Sequence, residues 1–240
     1  MDYAKLERMD LIWCLERLPV TVKKILRQEP DRSVFVAGGF IRACIANEPI
    51  NDVDIFCGSK EIAERLATQV SDAIKDSWIM RTDNAMTISA KPFAIQFIHR
   101  WTFIDVEACI ESFDYTISCA AIYFENNTYN SIVDPRFYSD LAARRIVYRA
   151  PIREEEPGGS MLRVLKFYQK GYRIPLDSFA AVIARLVREF HGDPSRQEEK
   201  HVASVILGLL HDVDPSTAER MAYLPVDQTS ANPKDIIHLD

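Results

Sequence analysis

Apolar residues Leu6, Met9, Ile12, Trp13, Leu15 and Leu18 recur at three- and four-residue steps, which predicts an amphipathic helix over about 3–27, kinked or split at Pro19. Ser33 to Ala37 is a short β-branched and aromatic run that ends at Gly38-Gly39, and Phe40 to Ala46 then reads as a helix. The order is therefore strand, glycine turn, helix. Asn51 to Cys57 alternates polar with apolar residues, as a half-buried strand does, and Ser59 is placed to cap a helix running to about Lys75. Between Ser77 and Arg100 the strand-like segments WIMRT, AMTISA and FAIQFIH are separated by Asp83-Asn84 and Lys91-Pro92, which predicts an antiparallel meander. Tyr115 to Phe124 and Ser131 to Val133 add further strand material. From Leu141 the pattern turns helical, with breaks at Pro151, Glu154–Gly159, Gly171–Pro175, His191–Ser195 and His211–Pro215. These elements predict an α+β chain: a head over 1–150 with a mixed sheet flanked by helices, a small helical region over 151–227, and a polar tail over 228–240.

Composition adds bounds more than identity. The 240 residues are 48% hydrophobic and 27% charged, enough apolar material for a self-supporting core. Five cysteines form no CxxC pair, so neither a zinc ribbon nor a disulfide framework is indicated, and Cys44 and Cys57 fall at apolar positions suited to small core residues. The net charge of −6 is evenly divided: 18 basic against 21 acidic residues up to 150, and 11 against 14 beyond it. A polynucleotide partner must then be met by a local patch. Charges interrupt the first eighteen residues every few positions, so neither a signal peptide nor a membrane span is read there, and a cytoplasmic protein is expected.

The stretch GGFIRACIANEPINDVDIF concentrates the chemistry. Glycines at a helix start let a triphosphate approach the backbone, where free amides bind anionic oxygen. Asp52 and Asp54, two residues apart on one strand, point to the same face, so their carboxylates can converge on a pair of Mg²⁺ ions roughly 3.5–4 Å apart. Arg42, on the first turns of the helix, can reach either phosphate or carboxylate. His191, His201, His211-Asp212 and Asp214 do not make a metal-dependent phosphohydrolase set, because ten-residue steps turn successive histidines about 80° around a helix.

With Gly38-Gly39 separated by twelve residues from Asp52-Val53-Asp54, the sequence resembles the polymerase-β-like nucleotidyltransferases, in particular the head of tRNA CCA-adding enzymes and bacterial poly(A) polymerases. FDYTISCAAIY at 113–123, VDPRFYSDLAARRIVYRAP at 133–151 and MLRVLKFYQKGYRI at 161–174 are similar to three further blocks of that family, in the same order. The resemblance implies a nucleoside triphosphate as substrate, two Mg²⁺ ions held by Asp52 and Asp54, and phosphate contacts from Gly38 and Gly39. It also implies nucleotide contacts from Arg42, Arg163 and Lys166, and transfer of a nucleoside monophosphate to an acceptor hydroxyl on an RNA 3′ end, a protein or a small molecule.

Three positions depart from the family pattern. Ala43 stands where the family has an acid, Glu111-Ser112-Phe113 precedes Asp114 in place of an arginine pair, and Gly159-Ser160 replaces the acids ahead of Arg163. The strand that carries the family's third carboxylate offers Gln96, which leaves Asp114, with Asp105 behind it, as the substitute candidate for a catalytic acid. A neutral amide does not lower a hydroxyl pKa as a carboxylate-bound metal does. The alternative reading is accordingly a nucleotide-binding or regulatory module that keeps the fold with weakened turnover.

Overall fold

A computed structural model describes residues 2–29, 32–150, 158–188 and 202–208. The expected tail over 228–240, and the breaks at Pro151, His191–Ser195 and His211–Pro215, lie outside these residues. The chain divides into two compact units: Met1–Arg153 with Lys166–Val182, and Glu154–Leu165 with Ile183–Asp240. In the second unit, residues 202–208 form a short helical stretch.

In the first unit the opening helix is α1 (Arg8–Arg17) and α2 (Val20–Gln28), divided at Pro19, which has no N–H to continue α1 and stands at the start of α2. Helix begins at Arg8 and not at residue 3. The residues ahead of it are extended, because Ala4 pairs with Val133 through two backbone hydrogen bonds of 3.0 and 2.9 Å. Seven strands then form one mixed sheet: β1 (Val34–Ala37), β2 (Asp52–Cys57), β3 (Ile79–Arg81), β4 (Ala85–Ile88), β5 (Ala94–Ile98), β6 (Ala120–Glu125) and β7 (Thr128–Val133), in the order β3-β4-β5-β2-β1-β6-β7. The β3-β4-β5 meander is antiparallel as the sequence predicts, and it joins the rest through a parallel pairing of β5 with β2.

Strand alternation decides what each face carries. Phe35 lies opposite Phe56 and stacks on it, and both belong to a core cluster with Val106, Cys109 and Ile110 of α5 (Val106–Glu111). Asp52 and Asp54 share the Phe56 face because they precede it by four and two residues. Val53, Ile55 and Cys57 point the other way and are buried. Helix α3 (Gly39–Ile45) follows β1, and α4 (Lys60–Asp72) is capped by Ser59, whose Oγ accepts the Ile62 N–H at 3.2 Å as expected. Helix α4 buries Ala63, Leu66, Ala67 and Val70 against the β2-β5-β4 part of the sheet. All five cysteines are buried and unbridged.

The helical pattern expected from Leu141 is corrected. Helix α6 (Phe137–Ala142) ends almost at once, residues 143–144 turn, with Arg144 at φ +46°, and the non-helical chain beyond bridges Arg145 to Arg173 and Tyr148 to Tyr115. The cause is a turn-back at Asp140, whose fully buried carboxylate accepts Arg145 at 2.7 and 3.0 Å and the Thr116 hydroxyl at 2.7 Å, while Arg136 lies 3.4 Å away. Helices α7 (Gly158–Gln169) and α8 (Leu176–Arg188) follow. Among the described residues no helix is long and apolar enough to cross a membrane.

Asp140→Ala removes an acceptor that satisfies both a buried hydroxyl and a guanidinium. It is expected to cost about 2–4 kcal/mol of stability, toward the lower end because both arginines reach solvent. The shift of the urea midpoint measures this; an unmoved midpoint would contradict the anchoring role of Asp140.

Candidate active site

Where β1 ends, the chain must reverse into α3 within one residue. Gly38 does this at φ +85° and ψ −130°, a conformation that L side chains rarely adopt. Its N–H is not available to a phosphate, because it donates to the Ala120 carbonyl at 2.9 Å and fastens the turn to β6. The expected pair of glycine amides therefore reduces to the one at Gly39, which opens α3. A Cβ built on Gly38 would lie 3.6 Å from the Phe113 ring, so this ring walls the turn.

Asp52 and Asp54 stand side by side on one face of β2, each half-buried. Burial, together with the charge of Asp52, pushes Asp54 up to about 7. Asp52 is also raised by burial, but Lys170, Arg42 and Lys166 oppose the shift. Lys170 in turn is lowered by burial and by Arg42, with Glu48 and Asp52 acting the other way. Two acids and three bases thus share one electrostatic neighbourhood.

Arg42 is only 6% exposed. Its Nε donates to Glu48 Oε2 at 3.3 Å, its guanidinium lies 5.0 Å over the Phe167 ring, and its Nη1 is 3.9 Å from where a Cβ on Gly39 would stand. Glu48 escaped the sequence reading. It sits six residues beyond Arg42 in a non-periodic loop, and nothing in spacing marks it. The other oxygen of Glu48 accepts the Tyr172 hydroxyl at 2.5 Å and Arg144 at 3.4 Å. Lys170, four residues after Lys166, also belongs to this neighbourhood.

Register fixes the neighbour of Asp54 on the next strand. Gln96 pairs with Asp54 across the parallel β2-β5 ladder and shares its face. Among the described residues no group of three or more histidines, cysteines or acids could hold a metal ion, so neither Asp114 nor Asp105 completes such a set. Asp105 caps α5, accepting the Ala108 N–H at 2.7 Å. Asp114 is buried; its carbonyl accepts the Arg149 N–H at 2.8 Å and its charge acts on Cys119. Asp52 and Asp54 are nevertheless a fitting donor pair for a hard divalent cation, which commonly binds through one or two carboxylates with phosphate and water completing the shell. Lys166 is exposed in the first unit, and Arg163, on the same helix α7, belongs to the second.

Residues 14–144 match the model of the Gabija anti-defense 2 protein family. A curated relative, Gabija anti-defense 2 of Bacillus phage SPbetaL7, is 27% identical over 154 residues, which cover 62% of this chain and 36% of that protein. The chain thus spans about a third of that relative's length. In fold it is similar to a Thermotoga maritima CCA-adding enzyme complexed with tRNA, at 18% identity and a TM-score of 0.57 over 92% of this chain and 54% of that one. A CCA-adding enzyme complexed with ATP aligns at 18% identity and a TM-score of 0.58, over 97% and 58%. A tRNA nucleotidyltransferase complexed with a primer tRNA and an ATP analogue gives 15% and 0.53, over 84% and 61%. The polymerase-β-like nucleotidyltransferase fold that the sequence resembles is therefore the fold of this chain.

Two outcomes follow from the geometry. Gly38→Ala forces a side chain into a backbone conformation reserved for glycine and is expected to lower stability by about 1–3 kcal/mol, read by thermal or urea unfolding. In metal-free buffer the raised Asp54 makes the folded state the stronger proton binder. Its contribution is full below about pH 4 and is lost as pH rises through about 7. The melting temperature of the wild type should therefore fall between about pH 4 and 7 relative to Asp54→Asn; parallel profiles would refute the shift.

Proposed function

The chain belongs to the Gabija anti-defense 2 family, and on that premise we propose that it is a Mg²⁺-dependent nucleotidyltransferase head acting in the cytoplasm against the defence system for which the family is named. The observation that carries this reading is the Asp52–Asp54 pair, held half-buried on β2 and flanked by Arg42, Lys166 and Lys170. Two adjacent carboxylates without a cation crowd like charge, and a divalent ion relieves it.

In this reading Asp52 and Asp54 hold the Mg²⁺, with Gln96 as a neutral neighbour where a third acid would support a second ion. When bound, the metal neutralises the triphosphate and lowers the pKa of the attacking hydroxyl. Gly39 offers its amide at the start of α3, and Arg42 with Lys166 holds phosphate oxygens. The acceptor oxygen bonds to the α-phosphorus, the bond from that phosphorus to the pyrophosphate oxygen breaks, and the hydroxyl proton passes to solvent. Asp114, next to Phe113 in sequence, is assigned to the wall of the site. The even net charge of −6 favours a protein or small-molecule acceptor over an extended RNA. A second reading, nucleotide binding with little turnover, is favoured by one observation: Gln96 occupies the position across from Asp54.

Incubation with each α-labelled NTP, Mg²⁺ and components of the targeted defence system tests the choice. Label transfer with pyrophosphate release is expected from the wild type, falling about 10²-fold or more in Asp52→Asn and Asp54→Asn. Equal labelling in all three would reject the transferase reading. Gln96→Asp is expected to raise the rate; calorimetric NTP binding with no transfer in either the wild type or Gln96→Asp favours the second reading.

A further inference from the structure

Glu48 stands outside every motif of the site, yet it joins three separate segments of the first unit. Asn47, at φ +53°, turns the chain after α3, and the Glu48 N–H then bonds back to the Ala43 carbonyl at 2.8 Å. Asparagine tolerates this left-handed position better than most residues. The carboxylate is thereby returned over α3, almost fully buried, with its two oxygens divided between partners: Oε2 to Arg42, Oε1 to Tyr172 and Arg144. Arg144 Nη1 also donates to the Lys170 carbonyl at 3.2 Å. One carboxylate consequently fixes the α3 guanidinium and the turn that carries Lys170 and Tyr172.

We propose that Glu48 is a positioning residue for nucleotide binding: by engaging the Nε edge of Arg42 it holds that guanidinium beside Gly39, turned for the phosphates of the bound triphosphate. The inference rests on the nucleotide-binding reading above and deepens it. Arginine has five donors in a planar fork, so one edge can be anchored to a carboxylate while the group still presents others. Two contacts keep that plane from rotating, the Phe167 ring beneath it and Glu48 at its edge. A buried ion pair is weak support for stability on its own, since both ions are stripped of water. Its placement against the glycine turn suits preorganisation of a phosphate-binding group.

The test measures affinity for ATP, CTP, GTP and UTP with Mg²⁺ by calorimetry, each variant corrected for its folded fraction. Glu48→Gln keeps the size and removes the charge; with the nucleotide that binds, it is expected to weaken affinity about tenfold, comparable to Arg42→Ala. The double variant should bind no worse than Arg42→Ala alone, because both changes disable one group. Tyr172→Phe, which keeps the ring contact with Phe167 and loses the hydroxyl, should weaken binding by about threefold, and it decides the matter if Glu48→Gln does not fold. Losses that multiply, or a lowered melting temperature with unchanged affinity, overturn the positioning role and leave nucleotide binding standing. A wild type that binds none of the four nucleotides overturns both.

Discussion

Two carboxylates on one face of a half-buried strand cannot both be charged without a nearby cation, and the rest of the site is arranged around that constraint. The protein answers it in part with its own bases. Arg42, Lys166 and Lys170 act on Asp52, leaving Asp54 as the member of the pair on which a proton settles near neutrality. Burial first, and then the neighbouring charge of Arg42, lower the pKa of Lys170. Glu48 acts against both effects, pairing with Arg42 and raising Lys170. A carboxylate at Gln96 would tip the neighbourhood further toward negative and demand a second cation.

The fold supplies this arrangement through the reversal at Gly38. Its φ lets β1 pass directly into α3, and its bond to Ala120 ties the reversal to β6, so the helix start is set by the sheet and not by a loop. Helix α3 then carries Arg42 toward Phe167 and Glu48. The parallel pairing of β2 with β5 sets which residue stands next to Asp54, and a slip of one position would exchange Gln96 for buried Ile95 or Phe97.

Much of this was legible in the sequence because it depends on local rules. The glycine turn, the alternation of Asp52 and Asp54, the Ser59 cap and the meander each follow from backbone preference or from a two-residue period. Tertiary pairing overrode local pattern elsewhere. Ala4 is drawn into pairing with Val133, which delays α1 to Arg8, and the buried Asp140 turns back a chain whose apolar spacing suggested continued helix. The role of Glu48 was hidden for a related reason. Its partners Arg42, Arg144 and Tyr172 are 6, 96 and 124 residues away, and no periodicity within the loop announces them. Gly38 was legible as a turn, but the hydrogen bond of its N–H was not, because the partner comes from a strand more than eighty residues later.

The strand order gives the two halves of the site unequal footing. Strand β2 is the fourth of seven, with three strands on either side, so the acid pair rides on the part of the sheet farthest from its edges. The bases Lys166 and Lys170 come instead from the end of a helix and the turn after it, held to the sheet side by Glu48 and Arg144. Local opening begins where few strands must separate. By that rule Lys166 and Lys170 are expected to open before the acid pair, which a central strand holds in place.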